Sequence, residues 1–173
     1  AEQSIFKEEP DDYITRIAAD IVVSEWPDPE GLTDEPVETV AGKLVAFAVD
    51  YYEAIDNGES IFNVLDAHSS DVAEYLQLFN DDDEFSAAVH KAAPDLFGST
   101  LLIIDRVTID KRFRGVGLGL VAVQELIRFW GRDGLIALKP FPLQFSGHED
   151  RAWIPPPELV DKSRAEIRRA AKA

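Results

Sequence analysis

A buried strand, a glycine-rich turn, an amphipathic helix and a second short strand succeed one another between residues 100 and 139. That succession predicts an α/β (α+β) fold, a mixed sheet flanked by helices. Thr100-Leu-Leu-Ile-Ile-Asp-Arg-Val-Thr-Ile109 is apolar on both faces over its first half, as a central strand covered on both sides must be. Val116, Leu120, Val123, Ile127 and Trp130 then recur at spacings of three and four, with Gln124, Glu125 and Arg128 largely on the other side. This is a helix from about Val116 to Trp130 with one stripe laid on the sheet, ended by Gly131 and Gly134. Leu135 to Lys139 reads as the second strand, stopped by Pro140 and Pro142. Such a unit is expected as a right-handed crossover between parallel strands.

The elements before this unit follow in order. Residues 1–12 are acidic and turn-rich and are expected to fray. Ile14 to Trp26 mixes apolar and polar positions in a way that suits helix or strand. Pro27 to Gly31, extended by Thr33 to Pro36, is a turn by composition. Gly42 to Tyr52 is β-branched and aromatic and predicts a strand, with a turn at Asn57-Gly58. Asp71-Val-Ala-Glu74 and Asp81-Asp-Asp-Glu84 both have the spacing of a capping box, predicting two helices, the second closed by Pro94 and Gly98. Beyond the unit, residues 146–173 read as a Gly- and Pro-rich loop and then a basic helix from Asp161 to Lys172.

At 173 residues one domain spanning the whole chain is expected, with enough length to bury a core. Apolar residues make up 46% and charged residues 29%, an ordinary globular balance. No run approaches the ~20 apolar residues of a membrane span, and the N-terminus is charged where a signal peptide would be apolar. The chain starts without Met, so missing native residues are expected. With no cysteine there are no disulfides, thiol nucleophiles or thiolate metal sites, which fits a cytoplasmic protein. Net charge is −16, which disfavours nucleic acid and anionic membranes and favours cationic amines.

Against that acidity, Lys111, Arg112 and Arg114 reverse the sign of charge in the segment leading from strand to helix. Gly115, Gly117 and Gly119 free the backbone there to approach a ligand. The helix that follows presents its unpaired N–H groups and positive dipole end to the turn, a natural anion site. A P-loop is excluded, because Gly119 precedes Leu120-Val121 instead of Lys-Ser/Thr. A dinucleotide fingerprint is excluded as well: the third glycine comes one place early, and the next strand ends in Lys139-Pro140 without an acid.

Val107-Thr-Ile109 followed by Arg114-Gly-Val-Gly-Leu-Gly119 resembles the cofactor motif of the GNAT superfamily of N-acyltransferases. The signature is Arg or Gln, two residues, Gly, one residue, then Gly or Ala. Arg114, Gly117 and Gly119 satisfy it, and so do Arg112, Gly115 and Gly117; the first register sets Ile109 at the family's usual distance. The resemblance covers residues 100–139 well and 40–98 loosely. It implies acetyl-CoA (coenzyme A) as acyl donor, with backbone N–H groups of Arg114, Gly115, Val116, Gly117, Leu118 and Gly119 around its pyrophosphate. It also implies that backbone groups of Val107 and Ile109 pair with the pantetheine arm and polarise the thioester carbonyl. The implied reaction is direct attack by the amine of a small molecule or peptide, with a base removing its proton. A homodimer is compatible with the reading. Two features depart from the family: residues 158–172 contain no Tyr to protonate the leaving thiolate, and the final pair of strands is not evident. Hence two readings stand, an acetyltransferase and a catalytically silent acyl-CoA-binding domain.

Among ionisable residues, Asp105 is the candidate proton acceptor, directly or through water, placed by alternation on the same face as Val107; such a residue more often pairs with a neighbouring Arg106 or Lys. Glu53 is a weaker one. His148-Glu-Asp150 lies in a loop, where three polar residues are usually solvated, and three histidines without cysteine argue against a metal site. Phe141, Leu143, Phe145 and Trp153 suit either a core or an acyl pocket.

Overall fold

A computed structural model describes residues 9–26, 35–94, 96, 98–131 and 134–139. The chain divides into two compact units, Ala1–Leu138 and Lys139–Ala173. The predicted tail helix, His148 to Asp150 and the aromatic residues 141–153 lie outside the described residues.

The first unit is built on four strands in the order β1-β2-β3-β4: β1 Ile14–Glu25, β2 Val37–Val49, β3 Leu101–Ile109 and β4 Leu135–Leu138. β1 and β2 are antiparallel, β2 and β3 are antiparallel, and β3 and β4 are parallel. Among the described residues five α-helices accompany them: α1 Tyr51–Asp56, α2 Ile61–His68, α3 Ser70–Ala73, α4 Ala87–Ala92 and α5 Leu118–Trp130. The architecture is therefore mixed α/β, a mixed sheet flanked by helices.

Both faces of the sheet are covered, which is why β3 is apolar on both sides. On one face Phe47, Val49, Leu101 and Ile103 pack against Ala54 of α1, Ile61, Val64 and Leu65 of α2, and Val72 of α3. On the other, Leu44, Ala46, Ala48, Leu102 and Ile104 pack against Leu126 of α5, with Val123 and Ile127 beside it. Of the stripe read from the sequence only Val123 and Ile127 pack on the sheet; Val116, Leu120 and Trp130 stay exposed, at 72%, 65% and 45%, and the buried residue, Leu126, lies beside that stripe.

The first half of the chain departs from expectation in ways that local chemistry explains. The ambiguous segment from Ile14 is strand, since it pairs with β2 along its whole length. β2 begins and ends earlier than predicted, and Tyr51 and Tyr52 open α1 instead of extending the strand. α2 is an addition: Ser60 accepts the Asn63 N–H at 3.2 Å as its cap, and Ile61, Val64 and Leu65 bury one stripe. The cap of α3 is Ser69, not Asp71, and a 3-10 turn replaces helix from Glu74 to Leu78. Asp81 to Glu84 opens no helix. Asn80 Oδ1 accepts the N–H groups of Asp82 and Glu84, both at 2.9 Å, while Phe79 stacks on Phe85, so the acidic run is a tight turn. Asp83, at φ 60°, instead accepts the Ile61 N–H at 3.0 Å and caps α2 from a distance. Residues 9–12 are not frayed: Glu9 and Asp12 close a capping box on a 3-10 turn that ends in buried Tyr13.

Candidate functional site

Two slips in strand pairing shape the end of the sheet where the glycine-rich turn lies. Between β1 and β2, Ile21 opposes Gly42 and Val22 opposes Val40, leaving Ala41 as an extra residue. Between β2 and β3, Val45 opposes Arg106 and Ala46 opposes Ile104, leaving Asp105 extra. Each is a β-bulge, which bends the strand and breaks side-chain alternation.

The second bulge corrects the expected placement of Asp105. Val107 packs with the α5 face alongside Leu102 and Ile104, and Arg106 opposes Val45, a residue of the α2 face. Asp105 directly follows Ile104 of the α5 face, so by alternation it too belongs to the α2 face. Asp105 and Val107 are therefore on opposite faces, because one inserted residue shifts the period of two. Burial raises the Asp105 carboxyl above the usual aspartate range; Asp71 adds to this, while Arg106 and Arg16 oppose it. Arg106 Nε stands 4.0 Å from Asp105 Oδ2.

β3 pairs with β4 only from Leu101 to Ile104. From Asp105 to Ile109 no strand among the described residues pairs with that edge. Here β3 runs into the turn. The Asp110 N–H donates to the Ala41 carbonyl at 2.7 Å, and its carboxylate accepts from the Arg112 backbone N–H at 2.9 Å and from the guanidinium at 3.1 and 3.2 Å. These hydrogen bonds hold the Asp110 carboxyl below the usual aspartate range. Arg114 Nε donates to the Ile109 carbonyl at 2.8 Å, which leaves the rest of its guanidinium fork for an anion.

Gly115 and Gly117 both take left-handed backbone conformations, φ 83° and 84°, and a Cβ at either would meet nothing within 4 Å. Glycine is required there for conformation, and the space beside the turn is open. Because Gly117 is left-handed, α5 starts at Leu118, two residues later than the periodicity suggests. Gly117 provides no side-chain cap, so the first N–H groups of a 13-residue helix face this opening. Val116 is 72% exposed, whereas Leu118 and Gly119 are half-buried. Gly119 lies against Val107 and Ile109, which fastens the helix start to the last residues of β3. The predicted positions 107 to 119 are thus one continuous structure.

Glu53 is not part of it. β2 runs antiparallel to β3 and Gly42 opposes Ile109, so α1, which follows the other end of β2, lies at the opposite end of the sheet. His90 is exposed on α4, and His68 pairs with Asp11 at 2.5 Å and meets Phe47 edge-on. Among the described residues no group of three or more His, Asp or Glu is placed to hold a metal ion, and no helix is long and apolar enough to cross a membrane. Arg106, the partner the sequence offers for Asp105, is beside it, whereas sequence reasoning missed Asp71 and Arg16 as neighbours. Only strand order and the bulge bring them together. Compared with protein-family models, curated proteins and solved structures, the chain matches none.

Proposed function

We propose that the chain binds acyl-coenzyme A along residues 107–119 and transfers the acyl group, most simply acetyl, to an amine, in the manner of a GNAT-like N-acyltransferase. One observation carries this reading. A parallel strand pair ends at Ile104 and Leu138, a bulge turns the strand at Asp105, and an open turn with two left-handed glycines feeds an uncapped helix N-terminus.

The residues suit such a donor. Backbone N–H groups from Arg114 to Gly119, with the helix dipole behind them, would hold the pyrophosphate, and Lys111, Arg112 and Arg114 add positive charge in a chain of net charge −16. The edge of β3 from Asp105 to Ile109 offers main-chain groups to an extended arm, as an added strand would use them. The bound donor supplies the activated acyl group. The chain's own part is to orient it, to offer a backbone N–H near Val107 to the thioester oxygen, and to take up the amine's proton. Asp105 is the proposed acceptor for that proton. Its raised affinity for protons suits a base better than an ordinary surface aspartate does. The absence of Tyr from residues 158–172 favours a second reading, a catalytically silent acyl-CoA-binding domain.

Thermal unfolding with acetyl-coenzyme A tests binding, because a ligand of the native state alone raises the melting temperature, by about 2.7 kcal/mol of stabilisation at a hundredfold excess over Kd. No shift at millimolar donor would remove the whole proposal. Release of free thiol with a panel of amines separates the transferase from the silent domain.

A further inference from the structure

One peptide group joins the sheet to the glycine-rich turn. The N–H of the Ile109–Asp110 peptide donates to the Ala41 carbonyl at 2.7 Å, and its carbonyl accepts from Arg114 Nε at 2.8 Å. Ala41 is fully buried at the slip between β1 and β2, so the Arg114 guanidinium is tied to a fixed point of the sheet. Asp110 holds the chain between these two ends. Its own carbonyl accepts the Phe113 N–H at 2.9 Å, closing the 3-10 turn Lys111–Phe113. Its carboxylate accepts the Arg112 N–H at 2.9 Å, and accepts Nε and Nη2 of the Arg112 guanidinium at 3.2 and 3.1 Å. Each polar group of Asp110 is thus engaged, either with the sheet or within the turn. The two arginines differ accordingly. A carboxylate fills one side of the Arg112 fork, whereas Arg114 meets a neutral carbonyl through Nε.

We propose that Asp110 is the positioning residue of the donor site: it holds residues 111–117 in the arrangement that meets the pyrophosphate, with Arg112 as its counter-ion and Arg114 as the guanidinium turned to the donor. The proposal rests on the acyl-coenzyme A reading above. A carboxylate beside an anion site repels the ligand, and Asp110 stays ionised because hydrogen bonds with Arg112 hold its carboxyl below the usual aspartate range. Its pair with Arg112 adds little to global stability, since the two side chains are 40% and 70% exposed. What the carboxylate supplies is order. Beyond it the chain passes through extended Arg114 and left-handed Gly115 and Gly117, a path that an unrestrained glycine-rich loop would take only among many others. A turn already fixed spares the donor that ordering cost.

Isothermal titration of acetyl-coenzyme A into the full chain and its variants tests this, well below each melting midpoint so that only folded protein is titrated. Asp110→Ala should weaken binding about fivefold or more, the equivalent of a lost cap, although it removes a negative charge from beside an anion. Asp110→Asn, which keeps an acceptor for the Arg112 N–H, should recover part of that loss. A purely structural role would leave the affinity of the folded protein unchanged, and a purely electrostatic one would raise it. Arg112→Gln and Arg114→Gln remove the same charge, and Arg114→Gln should cost the larger factor. Binding by Asp110→Ala as tight as the parent's, or tighter, would overturn the proposal, as would a larger loss from Arg112→Gln than from Arg114→Gln. If Asp110→Ala does not fold, Asp110→Asn decides by sign: weaker binding than the parent's supports the role, and equal or tighter binding removes it. A parent that does not bind acetyl-coenzyme A removes the donor reading and this role with it. A parent that binds, with Asp110→Ala binding equally well, removes the role alone.

Discussion

The backbone N–H of Asp110 donates to the carbonyl of Ala41 at 2.7 Å, joining the first residue of the glycine-rich turn to the residue at which β1 and β2 slip out of register. The turn is therefore anchored at its root to the middle of the sheet and not merely strung between strand and helix. One residue along, Gly42 lets β2 pass so close to β3 that a Cβ there would come within 2.2 Å of the Thr108 carbonyl oxygen.

Gly42→Ala should accordingly force the two strands apart and cost about 1–3 kcal/mol, read as a lower denaturant midpoint. Gly119→Ala is the contrast. Its methyl would meet Ile109 at an ordinary 3.6 Å within α5, and helix propensity favours Ala over Gly by up to about 1 kcal/mol. A Gly119→Ala variant as unstable as Gly42→Ala would show that the distances at these two glycines do not govern stability.

At Gly117 the constraint is conformational. Valine at φ 84° should cost at least about 1–2 kcal/mol. Asparagine, which visits left-handed backbone more readily, should cost less. Donor binding, followed by the melting shift, should fall in the same order. Equal stability of the two variants would contradict it.

Leu126 is the one buried residue of α5, set among Leu44, Ala46, Leu102 and Ile104. Leu126→Ala should remove about 2–5 kcal/mol and lower the melting temperature by roughly 2–4 °C for each of them. A shift under 2 °C would mean that α5 is not held by this face.

Asp105 and Asp110 should bend the stability–pH curve in opposite directions. Asp105 binds its proton more tightly when folded, so its favourable contribution is complete below the unfolded value of about 3.9 and is lost as pH rises through the folded one. Asp105→Asn should therefore be more stable than the parent at pH 7, with the gain vanishing near pH 4. Asp110 holds its proton less tightly when folded, so its contribution is present above the unfolded value and lost as pH falls through the folded one. Asp110→Asn should be less stable at pH 7 and converge with the parent in acid. Denaturant titrations at several pH values measure both, and curves of the same sign would refute the assignment.

Between Thr100 and Lys139 the elements were legible in the sequence because their signals are local. A doubly apolar strand, a stripe at helical spacing and a glycine triplet each state their geometry within about fifteen residues, and the structure differs there by one or two positions. The central stretch was less legible. Asp71 to Glu74 and Asp81 to Glu84 carry the same spacing, yet one lies in the first turn of a short helix capped by Ser69 and the other is a turn held by Asn80. Local spacing alone does not say which N–H groups an aspartate will find.

The sequence by itself determined that a strand would lead through a flexible, positively charged turn into an amphipathic helix, since backbone freedom, charge and periodicity belong to consecutive residues. Tertiary structure alone decided which side chains share the bulge. Asp105 left the face of Val107 because β2 passes with one residue fewer than β3, and Arg16 and Asp71 reached it from segments about ninety and about thirty residues away in the chain. Strand register is a sum over many long-range pairings, and no single stretch of sequence contains it.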